Sequence, residues 1–123
     1  MAQQHSPAFV ALVEQARTRI REIPAVELAA ALQAAPGARL IDVRERSEYD
    51  DGHVRGARWL GKGIIERDIE TVVPDPDTPL YLYCGGGYRS ALAADNLSRM
   101  GYSKVVSVEG GWRVLETLMP VES

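Results

Sequence analysis

Short apolar runs alternate with segments of helical period along most of this chain, and that order leaves few architectures open. "ARLIDV" (38–43), "LYLYC" (80–84) and "KVVSVEGG" (104–111) have the length and apolar density of buried strands, and "GARWL" (56–60) is a further candidate. Between them lie predicted helices. Ser6 as cap with Pro7 in the first turn opens one over about residues 7–20, with Phe9, Val13, Ala16 and Ile20 on one face. A second runs from Pro24 to the Pro36-Gly37 stop. "RSEYDDG" reads as a single turn with Ser47 as cap and Gly52 as terminator. Ile65, Ile69 and Val72 or Val73 share a face, as do Ala93, Leu97 and Met100 before Gly101, and "WRVLETLMP" closes the chain. Strands separated by helices have the crossover connections that parallel pairing requires, so an α/β parallel sheet with helices on both faces is expected. Ligands of such sheets bind beyond the carboxyl ends of the strands, and Cys84 stands at that edge.

A chain of 123 residues without an internal repeat or long linker suits one domain with one real core. The net charge of −3 argues against nucleic-acid binding, which wants a basic face, and the apolar runs are far too short to span a membrane. The first twenty residues lack the basic, apolar and small-residue regions of a secretory signal. With one cysteine no internal disulfide can form, and a cytoplasmic compartment would keep Cys84 reduced.

"YLYCGGGYRS" (81–90) then becomes the candidate site. A strand that ends in cysteine, three glycines, and a helix beginning near Tyr88 or Arg89 can turn its backbone N–H groups toward the sulfur. Gly85, Gly86 and Gly87 suit such a loop because they accept positive φ and carry no Cβ. The helix N-terminus adds partial positive charge, and Arg89 a full one. This setting favours the thiolate, which is the attacking species. A lone cysteine after an apolar strand is also a common core residue, but packing does not require three consecutive glycines. The spacing is C-x4-R, one residue shorter than the C-x5-R loop with which cysteine phosphatases clasp phosphate, so the cradle fits a sulfur atom better than a tetrahedral anion.

Three ordered segments, "LIDVRERSEYDDGHVRGA" (40–57), "YLYCGGGYRSALAADNLSRMGY" (81–102) and "VVSVEGGW" (105–112), resemble the signatures of a rhodanese, a single-domain sulfurtransferase. The resemblance implies an open, mainly parallel five-stranded sheet, with a helical extension over residues 1–21, the domain over 22–119 and a tail over 120–123. It implies that Cys84 takes sulfane sulfur from a donor and passes it to a thiophilic acceptor such as cyanide or a thiol, small or on a protein. The backbone of Gly85, Gly86, Gly87, Tyr88, Arg89 and Ser90 would cradle the persulfide, and Arg89 would meet an anionic donor such as thiosulfate. No metal or organic cofactor is implied. Asp42 and Arg44 match the Asp-x-Arg that braces the site, with a structural ion pair as the equal alternative. His53 matches a structural position, and Trp59, Trp112, Tyr49 and Tyr83 read as core or rim. The loop departs from the C-G-[ST]-G-V-T of mercaptopyruvate sulfurtransferases at Gly86, Tyr88 and Arg89. Two other functions stay open: a non-catalytic rhodanese-like binding module, and a phosphatase or arsenate reductase on a related fold.

Overall fold

A computed structural model describes residues 5–123. In chain order its elements are α1 (Pro7–Arg17), β1 (Arg21–Pro24), a 3-10 turn (Ala25–Glu27), α2 (Leu28–Ala34), β2 (Arg39–Asp42), α3 (Arg46–Asp51), β3 (His53–Val54), β4 (Arg58–Trp59), α4 (Ile65–Val72), β5 (Leu80–Tyr83), α5 (Tyr88–Arg99), β6 (Val105–Glu109), α6 (Gly111–Leu118) and β7 (Val121–Glu122). Five strands form one sheet in the order β1-β6-β5-β2-β4, every neighbour parallel. The α/β class and five-stranded sheet expected above are therefore present. Among the described residues no helix is long and apolar enough to cross a membrane.

The sheet separates two apolar layers through the period-2 alternation of its strands. Ile41 and Val43 from β2 and its end, with Leu80, Leu82 and Cys84 from β5 and its end, pack with Ile65, Ile69, Ala93, Ala94 and Leu97 of α4 and α5. Leu40, Tyr83 and Val108 face the other way, onto Leu28 and Leu115 of α2 and α6. Each fully buried leucine or isoleucine contributes about 1.5–3 kcal/mol, so both layers hold the sheet edge firmly where the site is built. Helix α1 packs against α5 with Val13 and Ala16 buried, and Arg19 just beyond it clasps Asp95 of α5 through two hydrogen bonds of 3.0 and 2.8 Å.

Three local features differ from the expectation. The segment before Ala25 is a strand rather than a helix start: β1 lies at the sheet edge beside β6, where Pro24 costs no ladder bond because an edge strand has a free side. The cap of α3 is Glu45, not Ser47. Glu45 and Glu48 form a reciprocal capping box, with the Glu45 amide donating to Glu48 Oε1 at 3.0 Å, which satisfies two orphan amides where a serine satisfies one. Val121 and Glu122 pair antiparallel with Val54 and His53, a small second sheet that was not anticipated.

Candidate active site

The chain leaves β2 toward β4 and leaves β5 toward β6, so connections from these two adjacent strands run in opposite directions. That divergence opens a crevice at their carboxyl ends, the usual ligand position in an open parallel sheet. Cys84 follows β5 directly at this point. Its carbonyl accepts the Trp112 amide at 2.7 Å and the next carbonyl, of Gly85, accepts the Arg113 amide at 3.2 Å, so the first turn of α6 is bolted to the cysteine loop.

That bolt depends on Gly111. It has φ +53, and a Cβ there would press into the Cys84 carbonyl oxygen and lie 2.9 Å from the Gly85 carbonyl group. Both partners are backbone and cannot yield without moving the loop. Gly111→Ala is therefore expected to cost about 2–4 kcal/mol and to lower any activity of Cys84 at least about tenfold, read by chemical denaturation and by turnover. Wild-type stability and turnover in this variant would show that the loop tolerates displacement.

The Cys84 sulfur is the focus of the loop. Sγ accepts the Gly87 amide at 3.1 Å and the Ser90 amide at 3.4 Å, while the side chain as a whole is 1% exposed. The amides of Gly85, Gly86, Tyr88 and Arg89 have no acceptor among the described residues. The thiol donates to Ser90 Oγ at 3.6 Å, and Ser90 in turn shares a 2.8 Å hydrogen bond with Ser107 of β6. If Cys84 ionises, the same hydroxyl can donate to it. Of the three glycines only Gly87 has a positive φ, +104. A Cβ on Gly85 would sit 3.1 Å from the Arg89 guanidinium and one on Gly86 would meet nothing, so the run of glycines is not uniformly required by backbone conformation.

Arg89 is not a free cation. Its Nη1 and Nη2 donate to Glu48 Oε1 and Oε2 at 2.8 and 3.2 Å, tying the start of α5 to α3. These bonds hold the Glu48 carboxyl below its ordinary value and the guanidinium above its own. Both side chains are about one-third exposed, 34% and 37%, so the pair counts for positioning more than for stability.

An open cleft of about 500 Å³ lies over the sulfur, lined by His5, Phe9, Glu48, Cys84, Gly86, Tyr88, Arg89 and Arg113. His5, at the residue before the α1 cap, and Phe9 of α1 stand over Tyr88, with ring centroids 4.4 and 5.9 Å from it, and the Arg17 guanidinium lies 5.1 Å from the Tyr88 ring centre. The N-terminal helix thus supplies one wall of the site. Sequence reasoning names none of Glu48, Arg113, His5, Phe9 or Ser107 as a site residue, and places Phe9 only on the apolar face of the first helix. Glu48 alone had a local signal, the Glu-x-x-Glu capping box; the others arrive through tertiary packing.

Asp42 and Arg44 are brought together but not into this cleft. Arg44 Nε and Nη2 reach Asp42 at 2.8–3.1 Å, and Nη2 also donates to the Gly52 carbonyl at 2.7 Å. The guanidinium lies 4.7 Å from the Trp112 ring centre and 5.8 Å from that of Tyr83. Trp59 Nε1 donates to the Arg44 carbonyl at 2.9 Å. The Tyr83 hydroxyl accepts the Val54 amide at 3.1 Å, and burial holds it in its neutral form. His53 stacks on Tyr49 at 3.7 Å and shares hydrogen bonds with the Tyr49 carbonyl and Glu122, outside the cleft. Ladder, stack and buried ion pair together fix the β2 side of the crevice.

Comparison with known proteins gives the same picture. The rhodanese-like domain family model matches residues 25–117. The thiosulfate sulfurtransferase GlpE of Pseudomonas putida is 33% identical over 97 residues, covering 79% of this chain and 86% of that protein. An uncharacterised Bacillus subtilis protein, YqhL, is 37% identical over 79 residues, which cover 62% of this chain and only 59% of that relative. Among solved structures, a Rhodopseudomonas palustris protein of unknown function, described as a possible tyrosine phosphatase, is 30% identical with a TM-score of 0.80 over 99% of both chains. The cysteine loop at the β5 end, the parallel sheet that carries it and a family match over most of the length agree: this chain belongs to the rhodanese-like domain family.

Proposed function

We propose that the protein is a sulfurtransferase that carries sulfane sulfur on Cys84, taking it from thiosulfate or a similar donor and delivering it to cyanide or a thiol. The observation that carries this reading is the loop itself: two amides already point at Sγ, and four more on the same turn have no acceptor among the described residues. In the first half-reaction the Cys84 thiolate attacks the outer sulfur of thiosulfate. The new Sγ–S bond forms as the S–S bond of the donor breaks, and sulfite leaves with the bonding pair. The terminal sulfur, now negative, is received by the free amides of Gly85, Gly86, Tyr88 and Arg89. In the second half-reaction a thiol or cyanide attacks that sulfur, and Cys84 leaves as thiolate. The two half-reactions make the kinetics ping-pong, and no cofactor is required. A reducing compartment such as the cytoplasm would keep the lone thiol available between turns.

Without an acceptor, thiosulfate should release one sulfite per protein molecule in a burst and then stop. No burst with thiosulfate, and none of the corresponding leaving group with polysulfide or mercaptopyruvate, would leave the site without this chemistry. The phosphatase reading has one supporting observation, the description of the Rhodopseudomonas palustris neighbour. Against it stand the C-x4-R spacing and an arginine already committed to a carboxylate. Hydrolysis of an aryl phosphate that is lost on removing Cys84 would favour it.

We assign Arg89 first to holding the loop, because both of its terminal nitrogens are engaged by Glu48. Arg89→Ala should then slow sulfur loading about tenfold from thiosulfate and from a neutral organic polysulfide alike, through misplacement of the amides. A loss confined to thiosulfate would make Arg89 the ligand of an anionic donor, as the family resemblance implies.

A further inference from the structure

Between α1 and α5 lies a smaller cavity of about 210 Å³ that shares no lining residue with the cleft over Cys84. Asp95 of α5 lines it, with its side chain 8% exposed. One of its oxygens, Oδ2, lies 2.8 Å from Nη2 of Arg19, just beyond α1, and 3.3 Å from Nη2 of Arg99, in the last turn of α5. A single carboxylate thus holds two guanidiniums side by side. The hydrogen bonds from Arg19 keep the Asp95 carboxyl below its ordinary value, so this clamp stays ionised at neutral pH.

Charge in the cavity is not balanced. Lys62, in the loop between β4 and α4, also lines it and has no carboxylate within 4 Å among the described residues. The Lys62 amide donates to the Val43 carbonyl at 2.9 Å, which fixes the point from which the side chain starts. Glu66 accepts a hydrogen bond from Asn96 on the cavity wall at 2.7 Å, but pairs with none of the three cations. Three cations from three chain segments therefore face one carboxylate, in a protein whose net charge is −3. Arg19 Nη1 takes no part in the clamp. The remaining lining includes Leu12, 53% exposed, and the half-buried Leu92.

We propose that this cavity binds a small organic phosphate, with Arg19, Arg99 and Lys62 pairing the phosphate group and Leu12 and Leu92 covering a short carbon chain. A phosphate monoester is close to a dianion at neutral pH, and its three free oxygens give each cation an acceptor. A single carboxylate would leave one of the two surplus charges unmet. Arginine suits the role because its planar fork matches phosphate oxygens, whereas lysine acts as a point charge. Size sets the other bound. At about 210 Å³ the cavity holds a phosphate and a few carbons, and falls below the range of pockets that enclose larger organic ligands. The site is independent of the sulfur chemistry proposed for Cys84.

Propyl phosphate and inorganic phosphate are each titrated into the reduced protein at constant ionic strength and followed by NMR. Saturable shifts centred on Lys62, Asp95 and Arg99 are expected, with the same affinity in wild type and in Cys84→Ser, because the cavity and the cysteine loop share no residue. Affinity should fall about fivefold in Lys62→Gln and in Arg99→Gln, the size of one partly exposed charge pair. Both variants leave the Arg19–Asp95 contact between α1 and α5 in place. Propyl phosphate should bind about threefold tighter than inorganic phosphate, and Leu12→Ala should remove that margin. No saturable shifts at these residues, shifts confined to residues 85–90, or an affinity unchanged in both charge variants would overturn the site. Equal affinity for the two phosphates in the wild type would overturn the organic part of the proposal and make the inorganic ion the occupant.

Discussion

Replacing Cys84 by serine is expected to lower sulfur transfer from thiosulfate by at least about a thousandfold, since a hydroxyl at neutral pH is neither ionised nor able to hold a transferable sulfur. The fold should survive. Sγ is buried in the layer shared with Leu80 and Leu82, but its polar partners are two amides and a hydroxyl that an Oγ can still satisfy. The stability change should be about 1 kcal/mol or less, a shift of a few degrees in the unfolding midpoint. Turnover near wild type in a folded Cys84→Ser protein would contradict the assignment. A lost fold would instead make the cysteine mainly a core residue.

The largest effect on stability is expected at the β2 end. Asp42 is fully buried, and its carboxylate meets the almost fully buried Arg44 through two guanidinium nitrogens. Asp42→Ala would strand that cation among Tyr83, Trp112 and the Gly52 carbonyl. Removing one partner of a buried pair costs about 3–5 kcal/mol, a large part of the roughly 5–15 kcal/mol available to a domain of this size. The midpoint should fall by about 10–20 °C. Adding Arg44→Met should recover part of the loss, because a buried charge is then no longer left unpaired. A change under about 1 kcal/mol on Asp42→Ala would mean that water or another group satisfies Arg44. Because neither residue lines the cleft that holds Cys84, the folded fraction of these variants should bind thiosulfate as wild type does. A raised KM with little loss of stability would move the pair from brace to substrate contact.

What the sequence made legible is what is local in the chain. The apolar runs ending at Asp42, Cys84 and Glu109 are bounded by turn residues and bury both faces, so β2, β5 and β6 announce themselves without tertiary knowledge. The cysteine loop lies within seven consecutive residues, and the chemistry of a sulfur among glycine amides follows from that stretch alone. β1 is not legible in the same way, because "REIP" is short, half polar and ends in proline, features that an edge strand tolerates and that equally suit a helix entry. The α3 cap differs from the expectation because Ser47 is intrinsically the better capping residue, whereas Glu45 wins by reciprocity with Glu48.

The site extends further than the loop for the same reason. Arg89 meets Glu48 across a separation of 41 residues, and that contact turns the one conspicuous cation of the loop into a tether. His5, Phe9 and Arg113 reach the cleft only because α1 lies on α5 and α6 is bolted to the loop through Trp112 and Arg113. No spacing rule connects these residues. Their convergence is a property of the packed sheet.

The central claim is that Cys84 is a covalent carrier of sulfur. The most direct measurement is the intact mass of the reduced protein after incubation with thiosulfate, beside a Cys84→Ser control. A gain of one sulfur, about 32 Da, on the wild type alone, removed by cyanide or by a thiol with return of the original mass, is the predicted result. An unchanged mass with thiosulfate, polysulfide and mercaptopyruvate, from a protein whose thiol still reacts with an alkylating reagent, would contradict it and favour a binding module built on the same fold.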